Sequence, residues 1–365
     1  MHHTEKETCP YGNLYKQDMY KQYIRKKWLT LFALAAVLFL MIVLSVSVGS
    51  VRISFVEIIS ALFGGGEAAN RVIVWNVRMP RIAAGIAVGT ALAMAGCIMQ
   101  NVLRNPLAAP ATLGVAQGAS FGAALAIVYF GAGIQINAGT AAAITITNPY
   151  MVTIFAFLGG IATTAVILGL SRIAKVTPAV MILAGVALSA LFSGATTLVQ
   201  YFADDVMLAS IVFWTFGSLG RAGWNEITFI FILGIAAFIY FFFNRWNYNA
   251  MESGTHTAKS LGVNVDVLIL ASMTIAALIS AVAVAFVGII NFIGLIAPHM
   301  ARKFVGNDHR FLIPCSALTG AALMLAADLA SRMIRAPAIL PIGALTSFLG
   351  APLFLYMIVK KGFIK

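Results

Sequence analysis

Apolar residues run along this chain in long stretches separated by short polar turns. The pattern predicts ten membrane-crossing segments: 28–48, 81–103, 112–130, 150–171, 178–201, 224–243, 266–289, 291–305, 311–334 and 341–359. As α-helix, about 20 residues cross a hydrocarbon layer of roughly 30 Å, and most of the segments reach that length. The eighth is shorter and carries Pro298, which predicts a half-span or a kinked helix. The longest polar stretch is an N-terminal tail, residues 1–27. It reads as a tail rather than a secretory signal, because the apolar run from Trp28 to Val48 that follows is long enough to span.

Composition reinforces this reading. The chain has 365 residues, 61% hydrophobic and 10% charged, against about 45–50% and 25% in soluble domains. The apolar excess must face lipid, and no room is left for a soluble catalytic domain. The formal net charge of +12 is distributed as a topology signal. With ten segments, both termini share one side. Seventeen of the 24 Lys and Arg residues then fall on the side of the termini, which predicts cytoplasmic termini. The excess is therefore not a nucleic-acid footprint. The seven outer cations, Arg52, Arg71, Arg78, Arg81, Arg221, Arg332 and Arg335, are all arginine, the side chain suited to bidentate pairing with carboxylates.

Few polar groups fall inside the spans. Asp328 and Arg332 stand four apart on the ninth segment and are expected to form an intramembrane ion pair. The spans hold no series of Asp, Glu or His, which argues against a proton- or sodium-coupled pump. His299 is expected to be structural. Cys9, Cys97 and Cys315 lack paired spacing, and no histidines show metal-ligand spacing. Gly85 and Gly89, and Gly114, Gly118 and Gly122, form small-residue stripes at four-residue spacing, as close helix packing in a bilayer requires.

The polar stretch 245–265 is too long for a minimal helix connection. Ser253-Gly254 divides it into two short helical pieces, and Gly262 reads as a helix C-terminal cap. Such an element can dock into a groove on a soluble partner.

Five ordered motifs then carry a resemblance. They are Arg78-Met79-Pro80-Arg81; Gln100 to Ala108, with Asn105-Pro106-Leu107-Ala108; Leu113 to Ala119; Ser260-Leu261-Gly262-Val263-Asn264-Val265; and Gly288 to His299, continuing to Asp308-His309-Arg310. Leu340-Pro341-Ile342-Gly343 and Gly350 to Phe354 also fit. From about Trp28 onward the chain resembles the FecCD-type permeases, the BtuC-like membrane subunits of ABC importers for iron chelates, haem and cobalamin.

The resemblance implies an all-α type II importer permease fold of ten helices over 28–365, with a cytoplasmic coupling loop at about 249–264. It implies a second permease subunit, identical or related, two copies of an ATP-binding subunit, and an extracytoplasmic substrate-binding protein. ATP and Mg would sit on the ATPase, and this chain would hold no catalytic, cofactor or metal site. The chain itself has no Gly-rich phosphate loop ending in Lys-Ser/Thr. By the same resemblance, Thr257, Ala258, Ser260, Leu261 and Gly262 contact the ATPase, and Arg78, Arg81 and Arg332 dock the binding protein; Arg335 is a further candidate. The expected function is ATP-driven import of an iron(III)-siderophore-type chelate across a bacterial or archaeal cytoplasmic membrane. Haem, cobalamin and an oxyanion are the alternatives, with a secondary transporter as the rival class. Two features depart from the family: the loop around Glu252 to His256 is less acidic, and the tail is longer and more polar.

Overall fold

The structure, a computed structural model, describes residues 10–49, 51, 53–131, 133–138, 141–146, 148–174, 178–336 and 338–359. Residues 1–9 of the tail, with Cys9, lie outside the described residues, as does Arg52. The first helix, α1 (Pro10–Ser47), is followed by two short ones, α2 (Phe55–Leu62) and α3 (Ala68–Ile73). A π-helical turn, Val74–Arg78, leads into α4 (Met79–Val102). Next come α5 (Val115–Tyr129), an antiparallel hairpin of β1 (Gly133–Ala138) and β2 (Ala141–Ile146), α6 (Pro149–Ala174), α7 (Pro178–Tyr201) and α8 (Asp205–Thr215). A 3-10 turn, Leu219–Arg221, precedes α9 (Trp224–Phe243). The remainder is α10 (Arg245–Glu252), α11 (Thr255–Ser260), α12 (Val265–Val287), α13 (Ile293–Val305), α14 (His309–Met333) and α15 (Ile342–Val359).

Each of the ten expected segments is a helix. Seven described helices are long and apolar enough to cross a membrane unaided. The third, eighth and tenth segments form shorter helices. For the eighth, α13 has 13 residues with Pro298 inside it, in keeping with the half-span expectation. Several features went unpredicted, beginning with the short helices α2 and α3 between the first and second segments. Helix α1 continues back through the polar tail to Pro10, so Pro10–Lys27 extends the first span. Helix α8 lies between the fifth and sixth segments, capped by Asp204, whose side chain accepts from the Met207 N–H. The two-stranded hairpin is the only sheet among the described residues.

Helix α4 forms the centre of the bundle. It is buried on nearly every side, packed by α12, α13 and α14. Its Ala and Gly content explains this position, because small side chains let backbones approach where lipid supplies no hydrophobic drive between helices. By contrast α1, α7 and α9 leave large apolar side chains exposed, among them Phe39, Leu183, Leu191 and Ile235, as a lipid-facing surface requires.

The glycine stripes are contact surfaces. Gly89 meets the Gly320 backbone of α14, and Gly118 meets Gly159 of α6. The tightest approach on α4 is at Gly96, where an added Cβ would overlap the Gly294 carbonyl oxygen. Gly169, by contrast, has nothing within 4 Å of such a Cβ. Gly96→Ala is therefore expected to cost about 1–3 kcal/mol through forced separation of α4 and α13, while Gly169→Ala stays near wild type. Thermal unfolding of the detergent-solubilised variants checks this, and equal melting of the two would refute the packing argument.

Candidate functional sites at the two ends of the bundle

Helix α4 carries Arg81 near its start and Asn101 near its end, a separation of roughly 30 Å along the axis. The polar clusters around these two residues therefore stand at opposite ends of the bundle.

At the Arg81 end, α1 stops at Ser47 and leaves its last carbonyls without intrahelical donors. Two arginines fill that gap. Arg332 Nη1 donates to Ser45 O (3.1 Å) and Val48 O (2.6 Å). Arg78 Nη1 donates to Val46 O and to Ser47 O (3.3 Å), and its Nη2 donates to Val51 O. Cations here also complement the negative end of the helix dipole. Asp328, fully buried on α14, joins the cluster: its carboxylate meets Arg81 Nε at 2.6 Å and Arg332 Nη2 at 3.0 Å. The expected Asp328–Arg332 pair is present, and the same carboxylate also holds Arg81.

This placement bears on the docking expectation. Arg78 and Arg81 are 4% and 8% exposed, and the Arg332 side chain is 8% exposed. All three are turned inward, onto the end of α1 and onto Asp328, because an unpaired guanidinium at this depth would be costly. Arg335 remains exposed.

At the Asn101 end, α10 and α11 form the expected pair of short helices. Gly254 (φ 114°) separates them. Gly262 (φ 84°) closes α11, with its N–H on Lys259 O and the Val263 N–H on Ala258 O, each at 3.0 Å, a Schellman closure. Of the five residues named for ATPase contact, Thr257, Ser260, Leu261 and Gly262 are exposed, Leu261 at 68%. Ala258 is fully buried in the core and serves as the anchor of α11.

Sequence reasoning missed how firmly this element is keyed into the bundle. Asn101 Nδ2 of α4 donates to Tyr248 O (3.1 Å) and Glu252 Oε1 (3.0 Å). Glu252 also accepts from Asn307 (3.1 Å), and the Tyr248 hydroxyl meets Ser272 of α12 at 2.8 Å. Asn249 donates to Asp308 (3.2 Å) and accepts from the His309 N–H (2.8 Å). Asp308 in turn holds Lys27 of α1 (3.4 Å) and Arg310 of α14 (2.8 Å). Burial alone would raise the Asp308 pKa, but the bonds from Arg310 and Asn249 and the Lys27 charge hold it well below the usual carboxylate range. One readable signal was the density of Asn and Glu in 247–252, residue types that pair with backbone and side-chain groups at helix ends.

The remaining candidates are buried in the bundle. His299 Nδ1 lies 2.8 Å from Leu295 O within α13. Cys97 and Cys315 are buried free thiols. Among the described residues no His, Cys, Asp and Glu cluster could hold a metal ion.

The helical bundle is shared with solved ABC transporter permeases, and with them it has the type II ABC importer permease fold. The chain belongs to the FecCD transport family, which it matches over residues 37–360. It is 51% identical over 341 residues to a provisionally named ABC transporter permease of Methanocaldococcus jannaschii, covering 93% of this chain and 97% of that one. It is 36% identical to the hemin transport system permease HmuU of Yersinia pestis, covering 79% and 84%. It is also 35% identical to the iron(3+)-hydroxamate import permease FhuG of Bacillus subtilis, covering 89% and 96%. A provisionally assigned metal-chelate type ABC transporter, solved in an inward-facing conformation, superposes with a TM-score of 0.78 at 32% identity, covering 90% of this chain and 98% of that one.

Proposed function

We propose that this chain is the membrane-spanning subunit of a binding-protein-dependent importer, driven by a separate ATPase, that carries an iron(III)-siderophore-type chelate inward. The observation that carries the reading is the α10–α11 pair. Its outer surface presents Leu261 and its polar neighbours, while its inner surface is bonded to α4, α12 and the α13–α14 turn. An element exposed on one side and bonded to several spans on the other can pass a push from a soluble partner to the membrane helices.

The relatives named for hemin and iron(3+)-hydroxamate transport, with a vitamin B12 permease of Vibrio parahaemolyticus at 31% identity, support a metal chelate as cargo. Haem and cobalamin are supported as well as a siderophore. The two-sided charge pattern supports cytoplasmic termini, which puts α10–α11 in the cytoplasm and Arg81 outside. The assembly would pair two such permease subunits with two ATPase subunits. A binding protein would dock at the outer end, where electrostatic pairing contributes association rate and specificity more than affinity. Arg78, Arg81 and Arg332 would shape that surface, with Arg335 at its exposed rim.

The test is reconstitution in proteoliposomes with the ATPase and binding protein. Leu261→Asp is expected to lower chelate uptake by on the order of tenfold or more, as loss of a buried interface anchor does, while ATP hydrolysis by the ATPase persists. Wild-type uptake in that variant would sink the coupling role.

A further inference from the structure

At the outer end, next to the arginine cluster, lies a cavity of about 710 Å³. It opens between α8, the turn before α9 and the start of α15, and Arg81, Arg221, Ser218, Phe213 and Phe216 are among its lining residues. Among the described residues, none of those lining it is acidic.

The charge balance around it is unusual. Arg81 and Arg332 share one carboxylate, that of Asp328, and Arg78 is held by backbone carbonyls alone. Carbonyls at the end of α1 offset part of the excess, but no second acid is ion-paired there among the described residues. The Arg81 side chain is 10% exposed, and only its Nε is engaged, by Asp328. Its two Nη groups have no hydrogen-bond partner among the described residues, although the residue lines the cavity. Gly220 leaves Nη1 uncovered; a Cβ there would stand 3.4 Å from it.

Arg221 adds a second cation. Its Nη2 donates to Phe213 O at 3.2 Å and its Nη1 lies 3.5 Å from Trp214 O, both neutral acceptors. Burial lowers its pKa to about 10, so it stays charged at neutral pH. Glu226 lines a smaller neighbouring cavity of about 110 Å³ that also touches Arg221, but the two are not within ion-pair distance among the described residues.

We propose that this cavity is a binding subsite for an anionic metal chelate, with Arg81 and Arg221 engaging its carboxylate oxygens and Phe213 and Phe216 its apolar faces. The proposal rests on the importer reading, because it takes the occupant to be the cargo. It narrows the cargo class from metal chelates in general to those that carry negative charge. Arginine suits the task, since its planar fork pairs bidentately with carboxylates. A volume of this size also exceeds what a single small oxyanion fills.

The test uses the purified full-length chain in lipid nanodiscs and calorimetric titration with iron(III)–EDTA, an anionic carboxylate chelate. Saturable binding is expected, weakened by added salt. Arg221→Gln is expected to weaken it by on the order of tenfold, the scale of one charge-assisted hydrogen-bonded contact. Arg81→Gln should act similarly, with thermal melting recorded because Arg81 also holds Asp328. Arg71→Gln, an exposed cation away from the cavity, should bind as wild type does. Uncharged iron(III) tris-acetohydroxamate and inorganic phosphate should both bind more weakly than the chelate anion. Equal affinity in wild type and a well-folded Arg221→Gln would overturn the proposal, as would equal binding of the uncharged chelate or of phosphate. Because the titration involves no ATPase, anion binding by a chain that never couples to an ATPase would overturn the importer reading and leave the cavity assignment standing. Coupled transport without anion binding would do the reverse.

Discussion

Asp328→Ala is expected to destabilise the protein by about 3–5 kcal/mol, the scale seen when one partner of a buried ion pair is removed. Asp328 is fully buried and is the only carboxylate paired with either Arg81 or Arg332 among the described residues. Its loss leaves two guanidiniums at membrane depth without a counter-charge. The effect should spread, because Arg332 also holds the end of α1 through Ser45 O and Val48 O. Asp328→Asn, which keeps an acceptor but not the charge, should fall between the alanine variant and wild type. Unfolding in a graded detergent series measures both, and an alanine variant as stable as wild type would refute the account. The loss should be smaller for Arg332→Gln, since Arg81 then keeps Asp328 to itself.

Asp308→Ala should do its damage at the other end, in two separable ways. The Lys27 side chain is 3% exposed and Asp308 is its only ion-pair partner among the described residues, so its isolation should cost about 3 kcal/mol. Asn249 loses an acceptor at the same time, which loosens α10 from the α13–α14 turn. The double variant Lys27→Met with Asp308→Ala should recover most of the stability, because the buried charge is gone. It should not recover coupling, because Asn249 still lacks its Asp308 acceptor and keeps only its contact with His309. In the reconstituted importer both variants are then expected to hydrolyse ATP with reduced uptake. A double variant that regains uptake along with stability would assign Asp308 a purely structural role.

The pH dependence follows from the direction of the Asp308 shift. A carboxylate whose folded pKa is depressed contributes stability above its unfolded pKa and loses it as pH falls through the folded one. Asp308 is held low, so its contribution is complete at neutral pH. It should be unchanged on mild acidification and disappear only below the usual carboxylate range.

Much of the fold was legible because lipid imposes a strict rule. A backbone crossing it must satisfy its own hydrogen bonds, so a long apolar run is a helix. That rule located all ten segments, and the loop at 245–265 disclosed its two helices through Ser253-Gly254 and Gly262. It said less where the chain sits in the headgroup layer or doubles back. Helix α8 has 11 residues, too few to register as a span, and the hairpin 133–146 carries no comparable run.

The sites divide along the same line. Asp328 and Arg332 are four residues apart, so their pairing is a local property of one helix and could be read directly. The Arg81–Asp328 contact joins residues 247 apart in the chain, and no local pattern announces it. The acceptors of Arg78 and Arg332 are backbone carbonyls at the end of α1, and every residue has a carbonyl, so residue type could not reveal them. The motif at Arg78-Met79-Pro80-Arg81 and the 328/332 spacing therefore marked important positions while leaving their direction open.

Local chemistry by itself determined the membrane character, the number of segments, the charge asymmetry, the two-helix pattern of 245–265 and the family resemblance, because each depends on near neighbours or on summed composition. Only the tertiary structure decided that the arginines turn inward onto α1 and Asp328, that Ala258 anchors while Leu261 projects, and that Arg81 and Arg221 face one cavity. The reason is physical. A buried charge takes whichever partner the packing of distant helices brings within reach, and that partner is settled by the assembled bundle.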